Sequence, residues 1–198
     1  MLLYLIIIIF CMTMIVIFNI ACNIEMFLNS IWIVILSVVG AVVIEIIIDL
    51  IFAGIIHSQK DSKFQNKKFF EVGKKERRFY EKLQIRKWKD KILELGAIGG
   101  FSKSKLQSQN DLQYINRFLI ECNKGVIVHI CDIVFGFLLL AIPPYKWTLC
   151  VALPVAIVNT ILNILPIMVL RYNVPKLQVA KLRLQKKTSQ SEWYFAQY

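Results

Sequence analysis

Residues 31–56 read IWIVILSVVGAVVIEIIIDLIFAGII. About 20 helical residues cover a hydrocarbon core about 30 Å thick, so this stretch is long enough to cross a bilayer. Its two acids, Glu45 and Asp49, are four residues apart and share one helical face. A carboxylate at the bilayer centre costs about 2.5–3.5 kcal/mol on insertion scales, so such a face must turn into a bundle or a polar cavity. Two acids on one face repel, which favours a shared proton or a cationic partner.

Further apolar runs lie outward from it, at Leu2–Ile20, Gly125–Ile142 and Trp147–Leu170. Hydrophobic residues make up 57% of the 198 positions, and the mean hydropathy of +0.58 is high for a water-soluble domain. The apolar residues lie in blocks instead of being spread around a core. The expectation is an all-α polytopic membrane protein with four spans and a single membrane domain over residues 1–198. No Lys or Arg precedes Lys60, so the first run lacks the positive start of a cleavable signal and reads as a retained helix.

Charge sets the orientation. The segment 57–120 holds 16 of the 24 Lys and Arg residues, and six more follow Leu170. The Cys22–Ser30 loop has no basic residue and one acid, Glu25, and the Pro143–Tyr145 turn is followed by Lys146 alone. The positive-inside rule then places the middle segment, the basic tail 171–198 and both termini in the cytoplasm, with the spans in the cell membrane.

A net charge of +11 raises the question of nucleic acid, but the basic residues interleave with aromatics as in an interfacial helix. Tyr80, Leu83, Trp88, Ile92 and Leu95 approximate a stripe, flanked by Arg77, Lys82, Lys87, Lys89 and Lys91, before Gly96, Gly99 and Gly100 end the helix. Membrane lipids, not nucleic acid, are the expected partner; a soluble hairpin packed on itself is the alternative. The five cysteines show no CxxC or Cys/His metal spacing and read as small core residues.

The third run carries His129 and Asp132, with Glu121 eight residues before His129. The fourth carries Asn159 and Asn163, four apart, and its backbone bonding is loosened by Pro154 and Pro166. The two asparagines read as interhelical hydrogen-bonding groups. At 1.5 Å rise per residue, Asp49 lies about 12 Å from His57 and His129 about 6 Å inside Gly125. The topology therefore predicts that Asp49, Glu121, His129 and Arg171 meet in a pocket at the cytosolic leaflet, suited to an amphiphile with a lipid tail.

Three blocks carry a resemblance. The segment Phe79–Gly96, FYEKLQIRKWKDKILELG, is similar to the FYxKLxIxKWKDKxPE-G signature of glycosyl-4,4'-diaponeurosporenoate acyltransferases. The stretch Glu121–His129 resembles their ETxxxExxH, and Arg171–Leu177, RYNVPKL, resembles their RYNRPRL. The chain departs from the pattern at Leu93, Cys122, Val126 and Val174, so no role of the second Glu, replaced by Val126, is carried over. The resemblance implies transfer of a fatty acyl group to a sugar hydroxyl of a glycosylated carotenoid.

Acyl transfer to a hydroxyl needs a base at that hydroxyl and donors at the developing oxyanion. His129, the histidine within a span, is the expected base, oriented by Glu121 or Asp132; Asp49 is the further catalytic acid of the cluster. Arg171 and Asn173 are assigned to the carbonyl oxygen or to a phosphate of the donor. Lys87, Trp88 and Lys89, with Asp90 and Glu94 of the same block, are assigned to binding and steering an acyl thioester of coenzyme A or a carrier protein. Neither a GxSxG motif nor zinc spacing is present, so no bound cofactor or metal is expected. The competing class is a non-enzymatic scaffold or immunity-type protein that holds partners at anionic lipid; a transporter is a third possibility.

Overall fold

A computed structural model describes residues 2–22, 31–65, 67–92 and 111–195. Among these residues every regular element is helical: α1 (Leu2–Ala21), α2 (Ile31–His57), α3 (Lys74–Lys82), α4 (Ile85–Trp88), α5 (Leu112–Gly136), α6 (Tyr145–Trp147) and α7 (Leu153–Phe195), joined in places by 3-10 and π turns. Three helical stretches are long and apolar enough to cross a membrane, at Ile31–His57, Leu112–Ala141 and Tyr145–Ser189, while the apolar stretch Leu5–Ala21 of α1 is shorter. The chain divides into two compact units, one of residues 1–58, 91–93 and 127–166, the other of residues 59–90, 94–126 and 167–198.

The first unit contains the most apolar sequence. Its core joins Ile15 of α1, Val34, Val38 and Ala41 of α2, Leu139, and Val151 and Val155. Large side chains on the other faces stay uncovered, with Leu36 67% and Leu50 64% exposed, as a lipid-facing surface requires. The Phe52 and Phe135 rings stack at 4.4 Å. Asn19, buried in α1, donates from Nδ2 to Ile15 O at 2.7 Å and to Cys150 O at 2.9 Å, binding two helical segments through one amide.

The second unit is held by a few polar anchors around an apolar centre. Two 3-10 turns, Asp61–Phe64 and Lys68–Phe70, bury Phe64 and Phe70. Asn123 of α5 donates to Phe64 O at 2.8 Å, and the buried Lys124 ammonium reaches Asp61 Oδ1 at 2.7 Å beside the Phe64 ring. Along α5, Ile115, Phe118, Cys122 and Val126 recur every three or four residues and are all buried, so Cys122 packs as a small hydrophobe.

Three sequence expectations change. The third apolar helix begins at Leu112 instead of Gly125, because Asp111 Oδ1 caps it by accepting the amides of Gln113 and Tyr114 at 2.8 and 3.2 Å. The basic tail after Leu170 is itself helical, since α7 runs on through Pro166 and Pro175 to Phe195. The stripe expected from Tyr80 onward is broken at Gln84, whose φ of 51° lies in the left-handed region, so Ile85 is buried while Leu83 is 39% exposed. Trp88 Nε1 donates to Leu83 O at 3.0 Å and ties the break together. Leu95, Gly96, Gly99 and Gly100 lie outside the described residues, as does the 23–30 loop with Glu25.

A left-handed residue with a Cβ costs about 1–2 kcal/mol, and a branched Cβ costs more. Gln84→Val is therefore expected to unfold at a lower temperature in detergent than Gln84→Gly, by the equivalent of about 1 kcal/mol.

Candidate active site

Within the first unit, α2, α5 and α7 bring Glu45, His129, Asn159 and Asn163 into one hydrogen-bonded chain. Asn159 Nδ2 donates to Glu45 Oε2 at 3.0 Å and to Asp132 O at 3.3 Å. Asn163 Nδ2 donates to Asn159 Oδ1 at 2.8 Å and to Asn159 O at 3.1 Å. That leaves the Asn163 carbonyl facing His129 Nδ1 at 2.7 Å.

An amide oxygen only accepts, so Nδ1 must carry the hydrogen, and the lone pair of the neutral ring lies on Nε2. The chain therefore has a direction, from His129 through two amides to the Glu45 carboxylate. The i, i+4 spacing of the asparagines explains this: both side chains leave α7 on one face, and the first hands its oxygen to the second.

Asp132 stands beside the chain, one turn beyond His129 on α5. Its side chain is buried, the Asp49 carboxyl of α2 faces it, and neither of its oxygens meets a hydrogen-bond donor. His129 Nδ1 is 3.7 Å from Asp132 Oδ2, an ion pair only when the ring is protonated. Asp49 and His129 are half-buried, so the face holding them is not sealed. Gly136 makes the approach of α2 and α7 possible. A Cβ there would lie 2.7 Å from both Asn159 Nδ2 and Glu45 Oε2.

The second unit contains Arg171, which is fully engaged. Its Nε and Nη2 grip the two Glu76 oxygens at 2.5 and 2.9 Å, and its Nη1 and Nη2 also donate to Phe69 O and Glu71 O. Tyr80 donates its hydroxyl to Glu76 Oε1 at 2.6 Å. The Arg171 hydrogen bond, reinforced by that of Tyr80 and opposed by burial, holds the Glu76 carboxyl below its ordinary value. Burial first, then the carboxylate beside it, keeps the Tyr80 phenol well above its ordinary range and so a donor.

The other expected site residues fall as follows. Glu121 is half-buried on α5 in the second unit, and His129 Nδ1 meets Asn163 Oδ1 as well as lying near Asp132. Asn173 is half-buried on α7; Lys87 is exposed on α4; Trp88 is tied to Leu83 O. Lys89 pairs with its neighbour Asp90 at 3.0 Å. Glu94 lies outside the described residues. Sequence reading left out Glu76 and Gly136. Glu76 and Tyr80 at i, i+4 beside a basic run, and a lone glycine one turn beyond Asp132, were the available signals.

Adding a methyl group at a closed contact costs about 1–3 kcal/mol. Gly136→Ala should therefore destabilise the protein in detergent by an amount in that range, read as a lower thermal midpoint. Because the folded Glu76 has its pKa lowered from 4.5, its contribution to stability is present above pH 4.5 and is lost as pH falls through the lower folded value. Glu76→Gln should accordingly flatten the fall of the unfolding midpoint below pH 4.5, read from the midpoint as a function of pH.

A family model described as glycosyl-4,4'-diaponeurosporenoate acyltransferase matches residues 60–183. No curated protein and no solved structure matches the chain. The family match does not favour a non-enzymatic scaffold. It spans more than half of the 198 residues and contains His129, Asn159, Asn163 and the whole Arg171–Glu76 clamp. The chain belongs to the glycosyl-4,4'-diaponeurosporenoate acyltransferase family.

Proposed function

We propose that this protein transfers a fatty acyl group from an acyl thioester to a sugar hydroxyl of a glycosylated, carotenoid-type lipid, with His129 as the general base. The observation that carries this reading is the directed chain from His129 to Glu45, which puts the hydrogen on Nδ1 and the basic lone pair on Nε2. In the proposed step Nε2 takes the hydroxyl proton as the oxygen attacks the thioester carbonyl. The tetrahedral oxyanion then collapses, the C–S bond breaks, and the imidazolium returns its proton to the leaving thiolate.

Asp132, 3.7 Å from Nδ1, is the nearest acidic side chain to the ring. Asn163 keeps the tautomer, while Asp49 faces Asp132 from α2. The bias of basic residues to 57–120 and to the sequence after Leu170 supports four spans, α1 included, with both termini at the cytosolic face of the cell membrane and the reaction at that leaflet.

General bases typically contribute 10²–10⁴-fold, so His129→Ala should reduce ester formation by about that factor while the protein still inserts. Asn163→Leu, which removes the Nδ1 acceptor together with the amide's two bonds to Asn159, should cost about 10–100-fold by releasing the tautomer. Mass spectrometry of lipid extracts from cells supplied with the glycosylated acceptor reads both. Wild-type amounts of ester from His129→Ala would rule His129 out as the base.

A further inference from the structure

A cavity lies wholly within the second unit. It is a groove of about 320 Å³ between α3 and α7, lined by Arg77 and Glu81 on one side and by Tyr172, Lys176 and Arg183 on the other, with Tyr80 and Val179 among its walls. The volume is that of a small-molecule subsite.

Three cations and one carboxylate line it. Glu81 is occupied by Arg77, Nε to Oε1 at 3.1 Å. Among the described residues, neither Lys176 nor Arg183 has a carboxylate within ion-pair distance. They are seven residues apart on one helix, two turns along the same face. Lys176 is not a loose side chain: its ammonium sits 3.8 Å from the centre of the Tyr172 ring, a cation–π contact that fixes it over the groove. Behind it the Glu76–Arg171–Tyr80 clamp holds α3 against α7, so the walls stay at a set separation.

Fixed positive charges on an aromatic wall suit an organic phosphate, whose oxygens take charge-assisted bonds and whose attached ring or chain packs on Tyr172 and Val179. Arg171, the expected phosphate ligand, has its guanidinium committed to Glu76 and two carbonyls. The phosphate-binding role therefore belongs to cations farther along α7.

We infer that the groove between Arg77 of α3 and Lys176 and Arg183 of α7 binds the phosphate-bearing portion of a nucleotide-type acyl thioester. This deepens the acyl-transfer reading in naming the donor, but the binding itself is measured without turnover. A phosphate-bearing lipid headgroup offers the same chemistry, and the test separates the two.

The full-length protein in phosphatidylcholine nanodiscs is titrated with coenzyme A by calorimetry. Saturable binding is expected, weakened at least tenfold by the pair Lys176→Gln and Arg183→Gln and unchanged by His129→Ala. Both substituted side chains are exposed, and far-ultraviolet circular dichroism checks that the helices persist. Arg183→Lys, which keeps the charge, should recover part of the affinity.

Absence of coenzyme A binding by the wild type, or binding equal in the double variant, overturns the assignment. So does a result in which the double variant loses only its retention of phosphatidylglycerol in vesicle co-sedimentation, which would assign the groove to lipid. Ester formation that still needs His129 after such a result would leave the acyl-transfer reading standing and remove the groove alone. Groove-dependent binding with ester formation independent of His129 would do the reverse.

Discussion

A polar side chain carried into an apolar helix must find its hydrogen-bond partner inside the protein, and the first unit is organised by that requirement. Glu45, His129, Asn159 and Asn163 sit on three helices whose other faces are aliphatic. Lipid offers these groups nothing, so each must look inward. The amides act as couplers: Asn159 reaches α2 through Glu45 and α5 through the Asp132 carbonyl, and Asn163 reaches α5 through His129. Apolar contacts between such helices set distance but not register. The polar chain sets register, and Gly136 permits it by leaving no Cβ between Glu45 and Asn159.

The second unit solves a different problem with different means. Its segments between α2 and α3 are short turns that cannot bury enough apolar surface alone, so they are pinned from the long helices. Asn123 and Lys124 hold the Asp61–Phe64 turn, and Arg171 holds the Phe69 and Glu71 carbonyls together with Glu76. The arginine of the RYN block thus acts on the fold first. One guanidinium ties two exposed carbonyls to the half-buried Glu76 carboxylate, and it thereby fixes where α3 lies beside α7.

The legible part of the sequence was what depends on composition along one helix. Apolar blocks reveal the long helices because the hydrophobic requirement acts on every residue of a span, and the Glu45, His129, Asn159 and Asn163 positions stand out against them. Features set by tertiary contact were harder to read. The break at Gln84 carries no glycine to announce it, since the left-handed residue is held there by Leu83, Trp88 and the burial of Ile85. The continuation of α7 defied its prolines because neighbouring side chains, not local propensity, decide whether a helix survives a lost hydrogen bond. Arg171 was legible as a special residue, but its partner, 95 positions earlier, was not.

The division of labour around His129 bears on how such a site works. A carboxylate bonded straight to Nδ1 would hold the tautomer and stabilise the imidazolium with the same contact. Here a neutral amide takes that place. Asn163 takes the Nδ1 hydrogen at 2.7 Å and fixes which nitrogen is basic, but it is neutral. Asp132 stands 3.7 Å away, too far for a hydrogen bond, and it faces the Asp49 carboxyl. The relay through Asn163 and Asn159 thus orients the ring with neutral groups and passes the polarity on to Glu45, on another helix.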